Sequence, residues 1–124
     1  MAGKTILIVE DNVIQREGLA FVLREEGYAV LTAADADEGL SWLRSEPAPD
    51  LVLLDMLVSK GHDGWFFLGQ RQQIPAAAVV PVIITTGVGN ASDEWAVALG
   101  ACGLLRKPLE VAPLLAQVRR CLGA

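Results

Sequence analysis

Short apolar runs recur along the chain at residues 5–9 (TILIV), 50–54 (DLVLL) and 80–85 (VPVIIT), with a shorter run at 103–105 and a weaker one at 28–32 (YAVLT) behind Gly27. They are continuous rather than alternating, which predicts strands covered on both faces and hence a parallel sheet. Helical spacing fills the gaps. Residues 13–26 place Ile14, Gly18, Phe21 and Val22 on one expected apolar face, with Glu17, Arg24 and Glu25 off it and Gly27 at the C-terminal cap. Residues 37–45 bring Leu40 and Leu43 together and stop at Glu46-Pro47-Ala48-Pro49. A third helix is expected over 63–73, opening on Asp-Gly and closing before Pro75. A fourth over 92–99 takes Ser92 as its N-cap, and a last over 111–122 carries Leu114, Leu115, Val118 and Leu122. Residues 76–80 read as a loop into the fourth strand.

The order is therefore strand–helix five times, which implies right-handed βαβ units with helices on both faces of one sheet. No linker, repeat or low-complexity tract interrupts it, so residues 1–124 read as one domain. That length buries a core without metal or disulfide staples. No run approaches 18 apolar residues, which argues against a transmembrane helix, and the first residues do not form a secretory signal. Cys102 and Cys121 make no Cys-x-x-Cys pair and read as free, buried thiols. The expectation is a cytoplasmic protein. With 15 acidic and 10 basic side chains the formal charge is −5, which argues against nucleic acid or an anionic membrane as partner.

In an open parallel sheet, ligands bind at the carboxyl ends of the strands. Glu10 and Asp11 follow the first strand, Asp55 the third, Thr86 and Gly87 the fourth, and Lys107-Pro108 leave the fifth. Singly each has an ordinary reading: Asp11 as a helix cap, Asp55 as the start of a turn, Lys107 as a solvated lysine. If the first, third, fourth and fifth strands are neighbours, three carboxylates, a hydroxyl and an ammonium converge on one rim. Carboxylates so close repel unless a cation offsets them, and an all-oxygen set suits Mg²⁺, with Mn²⁺ as a substitute. Of the 15 acids, three fall in this proposed site, leaving 12 against 10 bases elsewhere. Much of the net charge is thus local.

The blocks Val9-Glu10-Asp11-Asn12, Leu53-Leu54-Asp55-Met56, Asp63-Gly64, Pro81–Gly87 (PVIITTG), Gly100-Ala101-Cys102-Gly103 and Lys107-Pro108, in this spacing, give the chain a resemblance to the receiver domains of bacterial two-component response regulators over essentially its whole length. The resemblance implies a three-layer, flavodoxin-like α/β fold, a doubly wound (βα)5 parallel sheet of strand order 2-1-3-4-5. It implies Asp55 as the acceptor of a phosphoryl group from a phosphohistidine on a sensor histidine kinase or histidine phosphotransfer protein. Asp11 would bind Mg²⁺ directly, Glu10 largely through water, and Leu57 through its main-chain carbonyl. Thr86 and Lys107 would contact the phosphoryl oxygens, and the Lys107–Pro108 peptide would be cis. Phosphorylation would alter contacts with a downstream protein target.

Four departures from the family pattern stand out. The loop Leu57–Gly64 lacks a proline after Met56 and is one residue longer, with Gly61 as the residue that would absorb the insertion. Its His62 reads as an ordinary exposed side chain. Leu104 occupies the family's aromatic switch position, and Leu109 follows Lys-Pro where an aromatic is common. The output surface of the fourth helix, fifth strand and last helix is therefore expected to signal differently. Leu57 and Val88, two beyond the acceptor and the threonine, are both apolar where polar side chains help position water, so slow autohydrolysis is expected. Trp42, Trp65 and Trp95 read as packing on helix faces, with Trp65 and Trp95 as candidates for a partner surface.

The leading reading is a phosphorylatable switch rather than an enzyme. The alternative is a pseudo-receiver, an interaction module that keeps the fold without the reaction. An aspartate-nucleophile phosphatase would need a second Asp where Leu57 stands, and a flavin or nucleotide carrier would need a phosphate-gripping turn where Glu10-Asp11-Asn12 stands.

Overall fold

In a computed structural model of the chain, residues 3–57, 62–87 and 91–123 are described. Five strands, β1 (Thr5–Val9), β2 (Ala29–Ala33), β3 (Leu51–Asp55), β4 (Val82–Thr86) and β5 (Gly103–Arg106), form one sheet. All four neighbouring pairs are parallel and the order is β2-β1-β3-β4-β5. The helices are α1 (Val13–Glu25), α2 (Ala36–Arg44), α3 (Gly64–Arg71), a short α4 (Pro75–Ala78), α5 (Asp93–Ala98) and α6 (Val111–Leu122). This is the three-layer fold the resemblance implies.

The continuous apolar runs are explained by two cores, one on each face of the sheet. Leu7, Val9, Val52, Leu54, Val82, Ile84 and Leu104 point to the layer that contains Leu40, Leu43, Phe67 and Ala96. Their strand neighbours Ile6, Ile8, Leu51, Leu53, Ile83 and Leu105 point to Leu19, Leu23, Leu114 and Val118. Alternate side chains of one strand thus serve opposite layers, which is why apolar residues stand at consecutive positions along the runs.

Local capping sets the helix starts. Asn12 Oδ1 accepts from Gln15 N at 2.9 Å, Asp63 Oδ1 from Phe66 N at 3.0 Å, and Ser92 Oγ from Trp95 N at 3.1 Å. Asp35 caps α2 by accepting from Glu38 N, while the Glu38 carboxylate accepts from Ala34 N, one residue ahead of the cap. Gly27 takes φ +95°, one residue beyond the C-cap Glu26, where a side chain would be strained.

Three expectations need correction. Most of the α1 face read as apolar is the outward one: Ile14 is 83% and Phe21 65% exposed, only Val22 of that set packs against the core, and the helix buries Leu19, Ala20 and Leu23. Apolar residues surround most of this helix, so spacing alone leaves its rotation ambiguous. The rotation is set by Arg16, whose Nη1 donates to the Glu10 carbonyl at 2.9 Å, and by Ala20, which is fully buried. Residues 76–80 are not simply a loop, because Pro75 starts one helical turn through Ala78. The buried Arg71 holds the turn's exit, donating from Nη2 to the Val80 carbonyl at 2.6 Å. Finally, Cys102 and Cys121 are not free thiols but a disulfide, their Cα atoms 6.0 Å apart. Their separation of 19 positions conceals this, because the pair meets only once α6 packs back against the start of β5.

Trp42 and Trp95 pack against the core, whereas Trp65 is 46% exposed and meets Trp95 edge-on at a centroid separation of 5.6 Å. Among the described residues, no helix is long and apolar enough to cross a membrane.

Candidate functional site

The strand order reverses beside β1: the chain leaves β1 for β2 on one side and returns to β3 on the other. The carboxyl ends of β1 and β3 therefore part to form a crevice. Glu10 and Asp11 leave β1 on its rim, and Asp55 closes β3 there. One carboxylate oxygen from each of Glu10, Asp11 and Asp55 lies within 4.8 Å of the others. Glu10 and Asp55 are buried and Asp11 is half-buried. Asn12, not Asp11, caps α1, which leaves the Asp11 carboxylate to the rim.

Glu10 and Asp55 are held in place by hydrogen bonds. Asp55 Oδ1 accepts from Leu57 N at 3.0 Å and Oδ2 from Lys107 Nζ at 3.0 Å. Glu10 Oε2 accepts from Asn12 N at 3.1 Å and Oε1 from the same Lys107 Nζ at 2.9 Å. Burial pushes the Glu10 carboxyl above its ordinary range, only partly offset by the lysine. Burial works in the opposite sense on Lys107, but its bonds to Glu10 and Asp55 prevail and raise it above its ordinary value.

The pairing of β4 with β5 brings the remaining groups in. Thr86 lies opposite Arg106, and Lys107 N donates to the Thr86 carbonyl at 2.8 Å, extending the ladder to the lysine. Thr86 is fully buried. The Lys107–Pro108 peptide is cis, as the resemblance implies. The Leu57 side chain is 57% exposed, and its main-chain N–H is the group bonded to Asp55. Leu104 is buried among the aliphatic side chains of the α5 layer. The extra loop residue (58–61, with Gly61) and Val88 lie outside the described residues. His62 is exposed as expected, its Nδ1 3.2 Å from Asp37 Oδ1 and its ring stacked on Phe66 at 3.6 Å.

Gly64 explains the Asp-Gly pair that opens α3. Its N–H donates to the Met56 carbonyl at 3.2 Å, and a Cβ there would meet the Met56 Cα and Sδ, each at 2.7 Å. The helix end thus rests on the backbone one residue past Asp55. Gly64→Ala is expected to lower stability by about 1–3 kcal/mol, because backbone must move. Urea unfolding checks this, and an unchanged midpoint would refute the close approach.

Two positioning residues were not singled out from the sequence. Arg16 donates to the Glu10 and Asp11 carbonyls at 2.9 and 3.5 Å and so pins the acidic turn. A lone cation in the first turn of the helix behind an acidic pair is the signal that could have found it. Arg106 donates from Nη2 to the Ala91 carbonyl, joining β5 to the start of α5. No local pattern marks that contact.

The donor set fits a hard divalent cation. It is all oxygen, and with Lys107 included the formal balance of the four groups is negative by two.

Comparison with known proteins agrees with this geometry. Residues 6–119 match the family model of the response regulator receiver domain. The phosphate regulon transcriptional regulatory protein PhoB of Escherichia coli is 32% identical over 118 residues, 94% of this chain but 51% of PhoB, so the chain spans about half of that relative. Protein PilH of Pseudomonas aeruginosa is 32% identical over 119 residues, covering 95% of this chain and 97% of PilH. A CheY-like response regulator receiver domain protein from Methanospirillum hungatei superimposes with a TM-score of 0.84 at 29% identity, over 97% of this chain and 94% of that one. The chain therefore belongs to the response regulator receiver family, the phosphoacceptor signalling switches of two-component systems.

Proposed function

We propose that Asp55 is the phosphoacceptor, and that the chain as a whole, residues 1–124, is one receiver unit. The observation that carries this is the setting of Asp55 at the reversal in strand order, with one oxygen held by a main-chain N–H, the other by Lys107, and two further carboxylates beside it. The donor is a phosphohistidine on a sensor histidine kinase or a histidine phosphotransfer protein. A carboxylate oxygen of Asp55 attacks phosphorus, the P–N bond breaks, and the departing imidazole nitrogen takes up a proton. Lys107 offsets charge on the phosphoryl oxygens, and the Thr86 hydroxyl donates to one of them. Glu10, Asp11, Asp55 and the Leu57 carbonyl would hold Mg²⁺, or Mn²⁺ in its place. When bound, that ion offsets the repulsion between acceptor and phosphoryl group.

The acyl phosphate adds charge and acceptor oxygens at a rim built from buried groups. Drawing Thr86 and Lys107 toward it biases the surface above β4 and β5, to which a downstream protein binds. The proposed location is the cytoplasm, and the proposed contacts are protein rather than nucleic acid or membrane. The reaction is self-directed and ends in slow hydrolysis of the aspartyl phosphate, since Leu57 offers no polar side chain to orient water. Incubation with Mg²⁺ and a small phosphodonor should add the mass of one phosphoryl group. An unaltered mass would favour an interaction module without the reaction. Loss of the modified form at fixed Mg²⁺ should take minutes or longer, and decay within seconds would contradict the role given to Leu57.

A further inference from the structure

The cleft between α5, β5 and α6 holds chemistry that phosphoryl transfer does not use. Cys102, just ahead of β5, is bonded to Cys121 in the last turn of α6. Both residues are half-buried. Cys102 lines a cavity of about 320 Å³ together with Asp93, Val97, Leu104, Gln117 and Arg120. The Arg120 guanidinium is fastened over this sulfur. Its Nη2 donates to the Cys102 carbonyl at 2.6 Å, its Nε to Gln117 Oε1 at 3.2 Å, and its Nη1 stands 3.8 Å from Cys102 Sγ. A fixed cation beside a sulfur favours a thiolate there and so eases its departure from a disulfide.

We propose that Cys102–Cys121 is a thiol–disulfide exchange site, opened and closed by low-molecular-weight thiols and disulfides of the glutathione type that enter this cleft. In the reductive direction a thiolate attacks Cys102 Sγ, the Sγ–Sγ bond breaks, and Cys121 leaves as a thiolate that takes a proton from water. A second thiolate attacks the outer sulfur of the mixed disulfide and expels the Cys102 thiolate beside Arg120. Two thiols become one disulfide and the protein gains two electrons and two protons; oxidation is the reverse. Disulfides in reducing compartments are mostly transient or redox-sensing rather than structural, which bears on this bond through the cytoplasmic location proposed above. The closed loop contains β5, Lys107 and most of α6, so exchange changes the restraint on the segment that carries the site's cation.

The test is a titration of the whole chain in graded mixtures of reduced and oxidised glutathione, quenched by alkylation and read as intact mass. Alkylatable thiols should pass from two to none within the range of mixtures found in cytosol, from either starting state. The oxidised form should melt about 10 °C above the reduced form. Arg120→Gln should shift the midpoint several-fold toward the disulfide, while Arg120→Lys, which keeps the charge, should shift it less. Cys121→Ser should trap glutathione on Cys102. Two free thiols in every mixture, a bond that survives every mixture, or a midpoint indifferent to Arg120→Gln would each overturn the proposal. The titration reads the two sulfurs and needs no phosphoryl transfer to Asp55, whereas the phosphodonor assay reads Asp55 and counts no thiols. A failed phosphodonor assay and a failed titration are therefore separate outcomes.

Discussion

Asp55→Asn is expected to abolish the phosphoryl mass gain completely while leaving the protein folded. The amide has nearly the shape of the carboxylate, and its oxygen can still accept from Leu57 N, the contact that orients Oδ1. What it lacks is the negative oxygen that must attack phosphorus. The substitution also removes one of three clustered carboxylates, so without divalent cation the variant should be at least as stable as the parent. Intact mass after incubation with Mg²⁺ and phosphodonor tests the first statement, and urea unfolding in chelator tests the second. Uptake of a phosphoryl group by the Asn variant would move the acceptor elsewhere on the rim, to Glu10 or Asp11, the carboxylates clustered with Asp55.

Lys107→Ala should destabilise the cation-free protein by about 2–3 kcal/mol, a figure set below that for a fully buried pair because the lysine side chain is 21% exposed. The loss comes from what remains. Glu10 and Asp55, whose side chains are 3% and 5% exposed, would keep their burial and lose the ammonium that bridges them. Millimolar Mg²⁺ should restore much of the difference, because the ion supplies positive charge to the same oxygens. Unfolding midpoints in chelator and in Mg²⁺ give the comparison. Equal midpoints for parent and variant in chelator would show that the lysine is no counter-ion to the buried acids.

The two shifted groups also give the cation-free protein a pH dependence. Lys107 is raised above its ordinary 10.5, so its contribution to stability is fully present below that value and disappears as pH climbs through the folded value. Glu10 is raised chiefly by burial, so the fold prefers its protonated form. Its ionisation costs stability at neutral pH, and that cost recedes as pH falls through the folded value. Protons and divalent cation then compete for Glu10, which should weaken Mg²⁺ binding on the acid side. An affinity that stays flat as the medium is acidified would contradict the direction assigned to Glu10.

Much of this was legible along the chain. Apolar runs mark strands because each strand feeds two cores, and the acids follow directly on the first and third runs, where backbone direction alone puts them at the carboxyl edge. Ser92 and the Asp63-Gly64 pair mark helix starts because capping is a local hydrogen bond. The rotation of α1 was not legible. Its apolar residues occupy too much of the circumference for spacing to choose between Ile14–Phe21 and Leu19–Leu23. Arg106 was equally silent, since its partner is the carbonyl of Ala91, 15 residues away and without any side-chain signature.

The sequence by itself determined the strand–helix alternation, the identity of the three carboxylates and the lysine, and the net charge that they concentrate. These follow from residue type and near neighbours. Only the tertiary structure decided how the charges are paired. One ammonium bridges Glu10 and Asp55 across 97 and 52 residues of chain, because the order β2-β1-β3-β4-β5 draws those strand ends together. The same packing joins Cys102 to Cys121, a pair whose spacing carries no sign of a bond. Contacts of this reach depend on which elements become neighbours, and that is settled by burying two apolar faces of one sheet at once.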